Sequence, residues 1–253
     1  YDANNINPLY GFFVARAGLG ASESMRSKLA EYNDPRLSRA FITKQGASGK
    51  EQAPGTADNA VYAPNGSPEQ GTSKYGTSLF MYSISAPTLL LSYHELKFLE
   101  AEALCRLGRD AKSALKDAVV AGLLNAENSF SVSRKELGKT LINPASSITD
   151  TEAESYFDNT IEAKYTAEPL KTTMIQKYFA LWGASGEATE SYNDVRRMKG
   201  LGENFIELKN PNSFPLRCPY GNSDTTTNAE VKAAYGNGQY VYSENVWWAG
   251  GSR

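Results

Sequence analysis

The sequence predicts a mainly α-helical fold with minor β structure, from helical periodicity in its centre and irregular composition on both sides of it. Residues 89–199 carry apolar side chains at steps of three or four, which is typical of helices packed on a core. Residues 45–88 and 200–253 are rich in Gly, Pro, Ser, Asn and Thr, so we expect long irregular segments there. No run of alternating strands is evident. We therefore expect residues 1–253 to form a single domain.

A helical hairpin is the clearest prediction. Gly108 supplies the C-terminal stop of the first helix, and Asp110 can cap a second helix that extends to about Leu124. Two helices with so short a connection must pack antiparallel. The apolar stripe that we expect to face the core of the first helix consists of Leu89, Tyr93, Leu96, Leu99, Ala103 and Leu107.

Further helices are predicted on both sides of the hairpin. Residues 23–32 form a short helix with Ser22 as N-cap, whereas residues 10–21 are interpreted as loop or edge structure. A helical stretch over residues 151–168 is expected to end at Pro169. Residues 174–182 and 192–197 are predicted to be the last two helices before the irregular tail.

Composition restricts the classes of function. The 26 basic and 28 acidic residues leave a net charge of −2, and no Lys/Arg run gives the electrostatic pattern of a nucleic-acid-binding protein. One histidine and two cysteines make a zinc or iron–sulfur site very poorly supported, and no cofactor is expected. Cys105 and Cys218 are interpreted as two isolated core thiols, although a disulfide between them stays open.

Three segments carry sequence motifs. Each motif alone is weak, and their order along the chain is more specific than any one of them. Residues 91–103 with Gly108 form the first. Residues 175–182 form the second, and they are followed by Glu190, Tyr192, Asp194, Arg196 and Arg197. Residues 214–220 form the third, followed by Asn228 and the Val-Trp-Trp of residues 246–248. Together they resemble the later half of proteins of the SusD/RagB family, nutrient-binding lipoproteins of Bacteroidetes outer membranes.

This resemblance implies a tetratricopeptide-like helical scaffold on a SusC-like TonB-dependent transporter. Such a protein would capture glycans, or in some members peptides, at the extracellular side of the outer membrane. The relatives are longer, so the chain would be a C-terminal portion, attached to the membrane only through a lipid anchor absent from it. Structural roles are implied for Glu95, Glu102, Gln176, Lys177, Glu190, Asp194, Arg196, Arg197 and Arg217.

The loop over residues 45–78 is the candidate binding surface. A sugar site needs aromatic faces together with amide and carboxylate groups. We expect Tyr62 and Tyr75 to be the platforms, with Asp58, Asn59 and Asn65 beside them. A long loop of this kind is unfavourable to order unless it packs or binds something.

Alternative locations remain open for the binding site. The tyrosines of the loop could simply pack on the scaffold, and the site could lie in the tail around Trp248. Because Trp247 and Trp248 are adjacent, we expect one to dock in the core and the other to lie at the surface.

The sequence does not indicate an enzyme. Glu95 and Glu102 share a helix face, but a salt-bridged face is far more common than a catalytic pair. A lone His94 cannot complete a triad, and a surface or packing role is favoured. Arg196 and Arg197 could bind an anion, yet a structural pairing with Glu190 or Asp194 is favoured.

Two other functions compete with nutrient capture. The first is a tetratricopeptide-like scaffold that binds a protein or peptide, which the helical hairpin supports equally well. The second is a glycosidase or peptidase, for which the sequence offers no recognisable nucleophile or metal site.

Overall fold

The computed structural model describes residues 4–15, 20–43, 62–65, 75–207, 209 and 213–251. It is mainly α-helical, as predicted. The chain divides into two compact units, one up to Glu207 and one from Leu208 onward. Each unit is described by itself below, and the assignment of all 253 residues to one domain stays a prediction.

The first unit begins with two helices, α1 (Pro8–Ala15) and α2 (Glu23–Glu31). The prediction of loop or edge structure over residues 10–21 is wrong for α1. Pro8 occupies the first helical position, where its missing N–H is not needed, and Asn7 Oδ1 accepts a hydrogen bond from the Leu9 N–H at 2.9 Å. The predicted N-cap of α2 is confirmed, because the Ser22 side chain accepts from the Met25 N–H at 3.3 Å.

The β structure of the described residues is minor. β1 (Phe41–Ile42) pairs antiparallel with β2 (Thr77–Ser78), with Phe41 opposite Ser78. A 3₁₀ turn, Leu79–Tyr82, follows β2 directly and is largely buried. The two strands thus tie the chain after α2 to the chain that enters the hairpin.

The predicted hairpin is present as α3 (Tyr93–Arg106) and α4 (Lys112–Leu137). Gly108 has a φ of +67°, which few residues other than glycine adopt readily, and it ends α3 as predicted. α4 continues well past Leu124 to Leu137, because no proline interrupts it. Asp110 Oδ1 accepts from the Lys112 N–H at 3.0 Å, close to the capping role expected of it.

The face of α3 that packs on the core is not the predicted one. The buried residues are His94, Glu95, Phe98, Ala101 and Glu102. The predicted stripe is exposed instead, with Tyr93 at 59%, Leu96 at 53% and Leu107 at 68%. α4 and α7 pack on the Phe98 side. There a Cβ on Gly122 would come within 2.9 Å of Ala180 Cβ, so the glycine permits close approach of α4 and α7.

The remaining helices of the first unit run from α5 to α8. They are α5 (Asp150–Tyr156), α6 (Glu162–Ala167), α7 (Pro169–Leu181) and α8 (Ala188–Gly200), and a π-helical turn (Phe157–Ile161) joins α5 to α6. Pro169 ends the preceding helical stretch, as predicted, but it also begins α7. The predicted start at residue 174 was therefore late, since proline is favoured at the first helical position.

A buried ion pair fastens the segment after α2 to α7. Asp34 and Arg36 are each 2% exposed, and Arg36 Nη2 lies 2.7 Å from Asp34 Oδ2. Arg36 Nη1 also donates to the Phe179 carbonyl at 2.8 Å. The largest fully buried side chains of the described residues include Phe41, Phe80, Phe98, Phe130, Phe157 and Phe179.

The second unit contains two short helices, α9 (Asn222–Thr227) and α10 (Ala229–Tyr235). The Tyr220 and Tyr235 rings stack with centroids 4.4 Å apart, and the Arg217 guanidinium lies 4.6 Å from the Tyr220 centroid. Trp247 is 70% and Trp248 is 68% exposed. The prediction that one of them docks in the core is therefore wrong.

Both cysteines are free thiols, so no disulfide joins them. Cys105 on α3 is half-buried, and its Sγ lies 3.7 Å from Thr173 Oγ1. Cys218 is exposed, which corrects the expectation of a core thiol. Within the described ranges, no helix is long and apolar enough to cross a bilayer.

Candidate functional site

Two parts of the predicted binding loop are described, residues 62–65 and 75–78, and the first of them is held beside α2. Ala63 forms a parallel bridge with Ser22. The Ala63 N–H donates to the Ala21 carbonyl at 2.8 Å, and the Glu23 N–H donates to the Ala63 carbonyl at 3.0 Å. These bonds fix residues 62–65 against the start of a helix. The predicted contact residues Asp58 and Asn59 lie outside the described residues.

Tyr62 is half-buried and held between an aromatic ring and a cation. Its ring meets Phe41 edge to face with centroids 5.2 Å apart, and the Arg26 guanidinium carbon lies 5.6 Å from the Tyr62 centroid. Burial raises the pKa of the Tyr62 hydroxyl, and Arg26 partly opposes this effect. Asn65 is exposed, and its Oδ1 accepts from the Ser22 hydroxyl at 3.0 Å. Tyr62, Arg26 and Asn65 thus bring an aromatic ring, a guanidinium and an amide together at the surface.

Tyr75 does not belong to this surface. Its side chain is 4% exposed, and a Cβ on Gly20 would lie 3.0 Å from Tyr75 Cβ. The prediction that Tyr75 is a second platform is wrong in this structure, because an aromatic face must be accessible to stack on a ligand. Tyr75 instead packs on the scaffold, which was the alternative expectation for the tyrosines of this loop.

A cleft that the sequence did not predict lies elsewhere in the first unit. It has a volume of about 240 Å³, roughly the space for a single small ring, and four parts of the chain meet around it. Its apolar wall includes Tyr178 and Phe205. The full lining is Lys28, Glu31, Tyr32, Lys164, Ala167, Glu168, Lys171, Thr172, Ile175, Tyr178, Phe179, Phe205 and Ile206.

Charges of both signs surround the aromatic wall of this cleft. Lys164 Nζ lies 4.6 Å from the Tyr32 ring centroid, and Lys171 Nζ lies 2.8 Å from Glu168 Oε2. Burial raises the pKa of the Tyr32 hydroxyl to about 12, with smaller contributions from the two nearby carboxylates. Burial likewise raises the pKa of the Tyr178 hydroxyl. Both phenols therefore stay protonated at neutral pH and can donate hydrogen bonds.

The motif residues of α3 and α8 form an ion-pair network. Glu102 is 5% exposed and is paired with Arg106 and Arg197. Arg197 also contacts Asp194 at 2.8 Å, and Asp194 in turn contacts the buried Lys177 at 2.8 Å. The network links α3, α7 and α8.

Arg196 and Glu190 are placed differently from the expectation. Arg196 is exposed, with its guanidinium 5.7 Å from the Tyr192 ring centroid, and it forms no ion pair with Glu190 or Asp194 within the described chain. Glu190 accepts from the Asn193 side chain on the same helix at 3.3 Å. Gln176 is 1% exposed, and its Nε2 donates to the Tyr156 hydroxyl at 3.4 Å.

Two carboxyl groups and the single histidine are buried together where α3 meets the start of α8. Glu95, Glu187 and His94 are 6%, 2% and 3% exposed. Burial, and to a smaller extent Glu187, raise the pKa of Glu95 to about 7. Burial lowers the pKa of His94, against the opposing effect of Glu187, whose Oε2 lies 3.6 Å from His94 Nε2. His94 thus has the packing role that the sequence allowed, and Glu95 is not on a solvated face.

No metal site is evident in the part of the chain that the structure describes, where no group of three or more His, Cys, Asp or Glu side chains could hold an ion. The surface around Tyr62 and the cleft around Tyr178 can both offer stacking and hydrogen bonding.

The family model described as "Starch-binding associating with outer membrane" matches residues 2–220. The chain belongs to the SusD-like family. A SusD/RagB family protein from Bacteroides thetaiotaomicron is 66% identical to it and has a TM-score of 0.89, with 100% of this chain and 54% of that chain covered.

Two more distant SusD-like structures share the fold. A SusD homologue from Bacteroides fragilis is 18% identical with a TM-score of 0.59, covering 94% of this chain and 54% of that one. An outer-membrane protein from Bacteroides vulgatus, described as involved in nutrient binding, is 21% identical with a TM-score of 0.58. The match covers 88% of this chain and 50% of that chain. No functionally curated protein matches the sequence. The SusD-like chain thus spans about half the length of the solved relatives that it matches.

Proposed function

We propose that this SusD-like protein binds a glycan or oligosaccharide at the cell surface, without catalysis, and delivers it to a TonB-dependent outer-membrane transporter. The observation that carries the proposal is the match of residues 2–220 to a family described by starch binding and outer-membrane association. The protein would face the cell exterior as a lipoprotein, with a SusC-like transporter as its partner.

The surface around Tyr62 is the first candidate for the ligand contact. The ring is held in place by Phe41 and by the backbone bonds of Ala63, so little side-chain entropy remains to be lost on binding. Arg26 supplies N–H donors beside the ring, and the exposed Asn65 amide is suited to sugar hydroxyls. The exposed Trp248 of the second unit is a further candidate platform.

The cleft around Tyr178 is the second candidate location. It combines an aromatic wall with protonated phenols, which suits one sugar ring. It differs from the Tyr62 surface in carrying carboxylates as well as cations, so it offers both acceptors and donors to sugar hydroxyls.

A glycan array, followed by titration calorimetry and an assay for released products, tests the proposal. We expect binding of at least one glycan class and no hydrolysis. A parallel peptide library distinguishes peptide capture, the alternative that the same scaffold allows. Product release that a single Glu→Gln substitution abolishes would show that the protein is an enzyme instead.

Transporter delivery is tested separately. The neighbouring genes should include a TonB-dependent transporter, and affinity capture from outer membranes should recover that transporter. Recovery of soluble proteins alone, with no glycan binding on the array, would favour the protein-binding scaffold.

A further inference from the structure

The N-terminal end of α3 meets residues 183–190, the segment that leads into α8, through a buried group of polar side chains. Glu95 and Glu187 are 6% and 2% exposed, and His94 beside them is 3% exposed. The two carboxyl oxygens of Glu187 and the Nε2 of His94 accept no hydrogen bond from a described residue. Because buried polar atoms of a folded protein are normally paired, three such atoms in one place need an explanation.

The charges that face the two glutamates do not neutralise them. Lys177 acts on Glu95, but its Nζ already lies 2.8 Å from an Asp194 carboxylate oxygen. Arg36, which acts on His94, is already held in the buried ion pair described above. The titratable and charged groups around the pair are thus His94 on α3, Arg36 before β1, Lys177 on α7, and Glu190 and Asp194 on α8.

A single proton between Glu95 and Glu187 accounts for these observations. A carboxylate only accepts hydrogen bonds, whereas a protonated carboxyl group also donates one. Two carboxyl groups that share a buried site do not both ionise readily. Burial, and to a smaller extent the charge and hydrogen bond of Glu187, raise the pKa of Glu95 to about 7. A proton donated from Glu95 to Glu187 gives one unpaired oxygen a partner and leaves one buried charge instead of two.

The segment that carries Glu187 has an unfavourable backbone conformation. Ser185 has a φ of +50°, in the left-handed region that costs free energy for residues other than glycine. Gly186 lies so close to the chain before α3 that a Cβ there would overlap the Leu89 carbonyl oxygen. Such a conformation persists only while the surrounding contacts hold it. The contact with Glu95 is one of these contacts.

We propose that a proton shared by Glu95 and Glu187 holds residues 183–190 closed against α3, and that release of this proton to solvent opens the segment. Without the proton, two carboxylates remain side by side in a buried place, where repulsion and lost hydration favour exposure to water. Because the pKa of Glu95 is raised from 4.5, the closed state is favoured at low pH, and opening increases as pH rises through about 7. This device is separate from the proposed glycan binding.

Hydrogen exchange with mass spectrometry tests the proposal on the protein without ligand. After correction for the intrinsic pH dependence of amide exchange, residues 183–190 should open about tenfold more often at about pH 8 than at about pH 6. They should also exchange faster than the core of α4, because the opening is local. If residues 183–190 exchange only as slowly as the core of α4, they open only on global unfolding, and the proposal is wrong.

Three substitutions identify the titrating groups. Glu95→Gln keeps a hydrogen-bond donor but has no proton to lose in this range, so the tenfold change should vanish. Glu100→Gln, at an exposed position of the same helix, is the matched control and should keep the change. Glu187→Gln should move the midpoint to lower pH, because a neighbouring charge is removed. A pH response that persists in Glu95→Gln, with His94 as the titrating group, or an unchanged midpoint in Glu187→Gln would overturn the proposal.

Infrared spectroscopy detects the proton itself. The C=O band of a protonated carboxyl group should disappear as pH rises through about 7 in the parent protein. It should be missing from the spectrum of Glu95→Gln throughout. Loss of the band and opening of residues 183–190 with the same midpoint support the proposal. A band that titrates while the segment stays closed would show that the proton does not control the segment, and the proposal would be wrong.

Discussion

Arg197 of α8 donates hydrogen bonds to both carboxylate oxygens of Glu102 on α3, and its Nη2 lies 2.8 Å from Glu102 Oε2. The two residues are 95 positions apart in the sequence. Glu102 also accepts from Arg106, one turn later on its own helix. Burial alone would raise the pKa of Glu102, but the two guanidinium groups lower it. The carboxylate is thus held ionised at the point where three helices meet.

The first prediction concerns this pair. Arg197→Ala should lower the free energy of unfolding by about 1–3 kcal/mol, because Glu102 is nearly buried and keeps only Arg106 as a partner. Arg196→Ala is the matched control, since Arg196 is exposed beside Tyr192 and should change stability by less than about 0.5 kcal/mol. Urea denaturation of both variants measures the difference. If both variants lose the same free energy of unfolding, the ion pair of Arg197 with Glu102 does not stabilise the fold.

The second prediction concerns the buried Asp34–Arg36 pair. Arg36→Ala should destabilise the fold by roughly 3–5 kcal/mol, because Asp34 would remain as a buried charge without its partner. It would also remove the donor to the Phe179 carbonyl. The double variant Asp34→Asn with Arg36→Ala should recover part of this loss, since no unpaired charge is then left. A double variant that is no more stable than Arg36→Ala would contradict the electrostatic explanation.

The third prediction is a pH dependence from Glu95. Its pKa rises from an ordinary 4.5 to about 7 in the folded protein, so the folded state binds more protons between these values. The associated stability is fully present below about pH 4.5 and is lost as pH rises through about 7. The groups that act on Glu95 are Glu187 and Glu190, which raise its pKa, and Lys177, which lowers it.

A substitution separates Glu95 from the other titrating groups. The pKa of His94 is lowered, so His94 contributes with the opposite sign and destabilises the fold at acid pH. The difference in unfolding free energy between the parent protein and Glu95→Gln should therefore be followed from pH 4 to 8. We expect it to change by about 3 kcal/mol in favour of the variant as pH rises. A difference that does not vary with pH would show that Glu95 titrates normally.

The fourth prediction contrasts two tyrosines of the same loop. Tyr62→Ala should weaken binding of a glycan identified on the array by about 1–3 kcal/mol and lower the Tm less than Tyr75→Ala does, because Tyr62 is only half-buried. Tyr75→Ala should lower the Tm clearly, since that ring is in the core. Calorimetry and thermal melting of both variants provide the measurements. Unchanged binding by Tyr62→Ala would move the site to the Tyr178 cleft or the surface of Trp248.

Most helix positions and several helix ends followed from the sequence, because each depends on residues close together in the chain. Ser22 caps α2 from three residues away, and Gly108 ends α3 because its backbone readily adopts a positive φ. The start of α1 could also have been predicted, since Asn7 followed by Pro8 is a recognisable helix beginning. The order of the three motif segments identified the SusD-like family over most of the chain.

Only the tertiary structure decided which side of each element is buried. The periodicity of α3 fitted a stripe through Leu96, but Phe98 and Ala101 lie on the opposite face, and the packing of α4 and α7 buried that face. The pairing of Glu95 with Glu187 and of Glu102 with Arg197 joins residues more than 90 positions apart, which no local pattern encodes. Local sequence sets where helices begin and end, whereas burial and charge pairing depend on which helices pack together.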